Sequence, residues 1–234
     1  MDFTFNEEQT LIQGQVEQFI QRDYDWESRQ SFISSDLGCS SDNWKTFAEL
    51  GWLGISLSEE SGGLGGSSID TLIVMEEFGK GLVLEPFLET VVMCAGLIDT
   101  AGSPEQKKDI LTGVVEGKTQ LSLAYAEPQS RFNLSDVMTE AKKEGDNFIL
   151  NGFKSVVMNG PNSHQIIVSA RTSGDQRDES GVSLFIVDAN SSGLSLRDYQ
   201  TVDNRRASEV TLESVTVPES SLIGELDKGV TILE

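Results

Sequence analysis

Ala124-Tyr125-Ala126-Glu127-Pro128-Gln129-Ser130-Arg131-Phe132-Asn133, with its sequel Asn151-Gly152-Phe153-Lys154-Ser155-Val156-Val157-Met158-Asn159-Gly160, marks the place where the chain changes period. Upstream, apolar residues recur at helical spacing; downstream, they alternate. Segregated helices and strands make an α+β protein. The reading is an all-helical domain over residues 1–118, a β-barrel-like domain over 119–224, and a further helix opening over 225–234. Clefts between domains are preferred positions for cofactors, so the seam is also the candidate site.

Working back from the seam, Ser103-Pro104-Glu105-Gln106 is the clearest helix start, with a capping serine, proline at the first helical position and Gln three residues on. Pro86 opens the preceding helix, through Leu88, Val91, Val92, Ala95, Leu97 and Ile98. Ser68 is expected to cap another, with Ile69, Leu72, Ile73, Met75 and Phe78 turned inward. The glycine-rich run Ser61-Gly62-Gly63-Leu64-Gly65-Gly66 has no lysine-serine or lysine-threonine sequel. It reads as loop geometry rather than a phosphate cradle. Residues 28–41 read as polar loop with a short helix, and Trp44, Phe47 and Ala48 as an amphipathic turn that Gly51 ends. At the start, Asn6 and Gln9 make a capping box ahead of Ile12, Val16, Phe19 and Ile20.

Working forward, Leu121, Leu123 and Tyr125 alternate with Ser122, Ala124 and Ala126. Val137–Lys143 follows as a second strand, and Asn151-Gly152 is the strongest hairpin signal, joining Phe148–Leu150 to Phe153–Met158. Residues 165–170, 182–187, 194–199 and 208–217 complete seven or eight strands, a number that suits a sandwich or small barrel.

The net charge of −21 argues against binding a phosphate backbone, which needs a basic face. Solubility is the plain alternative use of such a balance. No apolar run approaches the ~18 residues of a membrane span. The start, Met1-Asp2-Phe3-Thr4-Phe5-Asn6, lacks the basic and apolar regions of a secretory leader. Cys39 and Cys94 lack metal-ligand spacing and are too few for a disulfide framework, so a cytoplasmic setting is expected and no metal site. The single histidine, His164, follows a loop and has no catalytic companion in sequence.

The opening segments resemble the flavin-binding region of the acyl-CoA dehydrogenase family, worded roughly T-E-P-x-x-G-S-D and then N-G-x-K-x-W-I-T-N. Glu127-Pro128, Asn151-Gly152-x-Lys154 and Asn159-Gly160 match at the family spacing. Ala126 stands where threonine is usual, Arg131-Phe132-Asn133 where Gly-Ser-Asp is usual, and Val156 and Met158 replace the tryptophan and threonine. The resemblance covers the whole chain.

That resemblance implies FAD as cofactor, bound weakly or not at all by this chain alone. It also implies an acyl-CoA substrate, possibly carboxyl-terminated, and an electron-transferring flavoprotein as acceptor. It places cofactor contacts at Tyr125, Ala126, Glu127, Arg131, Phe132, Val156 and Met158, with Phe132 also at the substrate. Glu127 then serves the loop's structure, and Arg131 either pairs a pyrophosphate or is a solvated loop residue. The family's catalytic glutamate and subunit contacts belong to a C-terminal helical bundle expected beyond Glu234. Three readings follow: a dehydrogenase subunit acting on an acyl-CoA, a non-catalytic partner of a larger homologue or of its own copies, and a ligand-binding barrel unrelated to flavin.

Overall fold

The computed structural model describes residues 4–234. The first three residues of the helical half, and with them half of the leader reading, lie outside that range. Helices α1 (Glu7–Asp23), α2 (Trp26–Ser34), α3 (Ser41–Glu49) and α4 (Ser68–Gly81) come first. A wider-wound stretch, Leu88–Ala95, runs into α5 (Gly96–Ala101). Then come α6 (Pro104–Gln106), a second wide turn at Lys107–Leu111, and α7 (Thr112–Val115). Both expected capping boxes form, at Asn6 with Gln9 and at Ser103 with Gln106.

Two helical details differ from the sequence reading. The cap of α4 is Ser67, one residue early, because Asp70 returns the bond to its N–H. Within α4 the buried residues are Ile73, Val74, Glu77 and Phe78, whereas Ile69 and Leu72 are exposed. The polar stretch holds a short helix as read, α2, followed by bends at 35–39; the helix is capped by Asp25 and held by Arg29, which donates to the Leu82 carbonyl at 2.8 Å. A buried arginine bonded across 53 residues is a tertiary reason for a helix, invisible to local periodicity.

The core of this half is aromatic. Phe47 stacks on Phe78 at 4.8 Å, and Phe19, Trp52 and Phe87 meet the cluster edge-on. Such pairs add roughly 0.5–1.5 kcal/mol each beyond their buried area.

The other half is one mixed eight-stranded sheet. Its strands are β1 (Leu121–Ala124), β2 (Glu140–Glu144), β3 (Asn147–Met158), β4 (Gln165–Arg171), β5 (Val182–Asp188), β6 (Leu194–Gln200), β7 (Arg206–Pro218) and β8 (Leu222–Ile223). The order is β6-β7-β3-β2-β4-β5-β8, with β1 parallel to β4 beside that path. The sheet faces two cores. Leu121, Leu123, Ile167, Leu184 and Ile186 pack against the helices, while Phe148, Val168, Phe185 and Val210 pack among the strands. Strands buried on both faces read as continuous apolar runs. β1 lies between the two cores, Leu121 and Leu123 in one and Ala124 in the other, and is buried throughout rather than alternating; Tyr125 and Ala126 lie beyond its end.

Asn151-Gly152 does not turn. Strand β3 passes straight through it, with register shifts against β7 between Leu150 and Gly152 and again between Lys154 and Val157. The glycine serves close approach: a Cβ there would lie 2.5 Å from Thr139 Oγ1 and 2.6 Å from Thr139 Cα. The asparagine serves the opposite bulge, its Oδ1 accepting from Ser214 N–H at 2.8 Å. The second strand begins at Glu140 rather than Val137, because Met138 and Thr139 N–H groups donate to Glu127 instead of a ladder.

The final helix, α8 (Gly229–Leu233), is not without partners. Val230 is buried with Val137 and Val182, and Ile232 and Leu233 pack against the helical core. His164 is exposed but engaged, its Nδ1 accepting from Gln120 N–H at 3.0 Å at the start of β1.

Candidate functional site

Glu127 organises the loop after β1. Its carboxylate accepts from Lys154 Nζ at 2.7 Å, Met138 N–H at 2.7 Å, Thr139 N–H at 3.0 Å and Gln129 Nε2 at 2.8 Å. Ser130 closes the turn by donating to the Glu127 carbonyl and accepting its N–H. Lys154 is fully buried and donates also to Ser169 Oγ at 3.0 Å. Burial pulls its ammonium down to about 8, against the opposing pull of Glu127. Burial pushes Glu127 upward, but the charge and bond of Lys154 hold its carboxyl below the ordinary range. With both oxygens occupied, Glu127 is a staple and not a base; a base needs reach to its proton.

In front of this staple lies a pocket of about 290 Å³ between the two halves. Tyr125, Ala126, Val156 and Met158 form its strand-side wall, with Leu123. Leu88, Glu89 and Met93 come from the wide-wound helix, and Arg205 from the β6–β7 turn. Ser155 N–H donates to the Ala126 carbonyl at 2.9 Å, tying the two quoted segments together. Val156 adopts φ +53°, a left-handed backbone that a β-branched residue rarely accepts. Strain of that kind collects at sites where the surrounding structure over-determines it.

Four of the seven expected contact residues therefore meet at one pocket. Glu127 stands behind them, buried. Arg131 and Phe132 are exposed on the loop and do not line the pocket; Arg131 has φ +51° and Phe132 is 99% exposed. Sequence reasoning missed the other five lining residues, Leu88, Glu89, Met93, Leu123 and Arg205. The two acids of Glu85-Pro86-Phe87-Leu88-Glu89 sit inside an apolar run, and an acid so placed was the available signal.

Glu89 is 4% exposed and bonded to Arg205 Nη2. The turn carrying Arg205 is pinned to the helical half by its neighbours. Arg206 Nη2 donates to the Ser35 carbonyl at 2.9 Å, and Arg29 Nη2 reaches the Asp203 carbonyl at 3.4 Å. Among the described residues no helix is long and apolar enough to cross a membrane.

The strand-side lining of Leu123, Tyr125, Ala126, Val156 and Met158 is largely apolar, which suits an aromatic ring system. For the polar tail of a dinucleotide, Arg131, exposed on the adjoining loop, is the one cation among the seven expected contact residues.

Comparison with known proteins bears on the family and the fold. The family model for the acyl-CoA dehydrogenase N-terminal domain matches residues 6–118, and that for the acyl-CoA dehydrogenase middle domain matches residues 122–215. Mitochondrial isobutyryl-CoA dehydrogenase of Dictyostelium discoideum is 33% identical over 79% of this chain and 45% of its own length. The caffeyl-CoA reductase-Etf complex subunit CarC of Acetobacterium woodii is 29% identical over 78% of this chain and 49% of its own. The chain thus spans about half the length of these curated relatives. Among solved structures, the FAD complex of PigA superposes with a TM-score of 0.90 at 26% identity, covering 99% of this chain and 62% of that one.

Proposed function

Because the chain belongs to the acyl-CoA dehydrogenase family, we propose that it takes part in the FAD-dependent α,β-dehydrogenation of an acyl-CoA thioester. The observation that carries the reading is the seam pocket, where Tyr125, Ala126, Val156 and Met158 converge in front of the Glu127–Lys154 staple. Bound FAD would supply the acceptor for the β-hydride. The four lining residues would hold its ring, and Arg131 would pair its pyrophosphate. The staple keeps the loop after β1 in place and excludes water from behind the pocket. Glu89, among the described residues the one carboxylate lining it, is already held by Arg205, so the α-proton base is assigned elsewhere. Division of the chain at 118 and 224, with a barrel-like middle domain, belongs to the same reading.

In substrate, the wording Ala124-Tyr125-Ala126-Glu127-Pro128-Gln129-Ser130-Arg131-Phe132 favours the small subunit of pimeloyl-CoA dehydrogenase, and with it a dicarboxylyl-CoA such as pimeloyl-CoA. Against that substrate, Glu89 already neutralises the guanidinium that an ω-carboxylate would seek.

One observation favours a second reading. Threonines are lacking at positions 126 and 158, and Arg131 and Phe132 stand away from the pocket. These features suit a non-catalytic subunit that completes the site of a larger dehydrogenase, or assembles with its own copies, with an electron-transferring flavoprotein as electron acceptor. The test is flavin absorbance of the purified protein mixed with FAD and then with CoA thioesters. Bleaching of the flavin by a thioester supports catalysis by this chain. Flavin that stays oxidised here, but bleaches when a homologous larger subunit is added, supports the partner reading. No flavin change in either mixture overturns both.

A further inference from the structure

Glu85 and Glu89 lie four residues apart and both are buried, yet only one is satisfied. Glu85 accepts from the Tyr24 hydroxyl at 2.8 Å, Ser40 N–H at 3.0 Å and Asn43 Nδ2 at 3.2 Å. Among the described residues Glu89 accepts from Arg205 alone, through Oε1, and its buried Oε2 meets no donor. Buried polar atoms are otherwise almost always paired, so an orphan oxygen on a side chain that lines a pocket calls for a donor.

The pair also stands at a junction. Arg205 and Leu88 line the seam pocket and, on their other side, an apolar pocket of about 210 Å³ among Met75, Phe78, Leu82 and Phe87. Within the seam pocket the pair lines the side opposite the strand wall of Tyr125, Ala126, Val156 and Met158.

We propose that the Glu89–Arg205 pair reads an uncharged hydrogen-bond donor, a hydroxyl being the simplest, on the acyl tail of the thioester; this rests on the thioester reading above. An alkyl tail would leave Oε2 desolvated and unpaired. A carboxylate brings a second negative charge beside Glu89, and an ammonium brings a second positive one beside Arg205. A hydroxyl donates to Oε2 and accepts from a further guanidinium N–H, of which Arg205 uses one on Glu89.

Calorimetric titration of the FAD-treated protein with hexanoyl-CoA, 6-hydroxyhexanoyl-CoA and adipoyl-CoA tests this. The hydroxylated thioester is expected to bind about tenfold tighter than the alkyl one, the worth of a hydrogen bond to a charged group. Glu89→Gln should bring the two to near parity and raise the rank of adipoyl-CoA, because Arg205 is then unneutralised. If that variant does not fold, the double variant Glu89→Leu with Arg205→Met is used; with both charges gone, the expectation is that the hydroxyl preference falls while hexanoyl-CoA gains. A wild type that prefers hexanoyl- or adipoyl-CoA, or a preference unchanged in the variant used, overturns the inference and leaves the thioester reading standing. Weaker FAD binding in Glu89→Gln with unchanged thioester ranking also overturns it, assigning Oε2 to the cofactor. Failure of all three thioesters to bind overturns both.

Discussion

Lys154 Nζ donates to Glu127 Oε1 at 2.7 Å, with both side chains withdrawn from water, and this bond joins the loop after β1 to the middle of β3. Two buried charges hold each other in place because neither has solvent to turn to. The loop conformation presenting Tyr125 and Ala126 to the pocket depends on it.

Removing one partner leaves the other charge buried and alone. Lys154→Met or Glu127→Leu is expected to lower stability by about 3–5 kcal/mol, and the double variant by clearly less than the sum. Urea denaturation of the three variants checks this; additive losses would mean that the two groups do not interact.

The same pair sets a pH dependence on the acid side. The Glu127 carboxyl is held below its ordinary value of 4.5, so its contribution is complete above that pH and is lost as pH falls through the folded-state value. The difference in urea midpoint between wild type and Glu127→Gln should therefore shrink on going from about pH 7 to about pH 3. A difference that is constant across that range would contradict the assignment.

Val156 carries left-handed backbone while its side chain is 55% exposed. Asparagine tolerates that conformation, so Val156→Asn should raise stability by about 1 kcal/mol, with little buried area to lose. Thermal denaturation measures it; a clear loss would show that the valine is packed more closely than its exposure implies.

At Gly152 the opposite holds. An added methyl would meet the backbone of Thr139 at 2.6 Å, so Gly152→Ala is expected to cost about 1–3 kcal/mol. Gly14, around which nothing lies within 4 Å, is the control, and Gly14→Ala in the middle of α1 should stabilise by about 0.5–1 kcal/mol. Equal effects at the two sites would remove close approach as the reason for Gly152.

Ala126 and Met158 line the pocket without hydroxyl groups where threonine is usual. Ala126→Thr with Met158→Thr should tighten FAD binding by about tenfold, two neutral hydrogen bonds' worth. Flavin fluorescence titration reads this, and an unchanged affinity would place the ring elsewhere.

Local signals alone carried the helical first half, the capping at Asn6 and Ser103 and the change of period near residue 118, whereas the flavin-type reading of the two segments came from their resemblance to a family. The local signals depend on neighbours three or four residues away, or on alternation within a strand. The tertiary structure decided the rest. Asn151-Gly152 has the composition of a turn, but Thr139 pressing on the glycine and Ser214 bonded to the asparagine keep β3 running straight. Arg29 makes a helix of a polar stretch by reaching Leu82. Glu89 and Arg205, 116 residues apart, become a pocket wall only because the β6–β7 turn docks on the helical half. Bonds between residues so distant leave no period in the chain, and the energy that selects them exists only once both halves are packed.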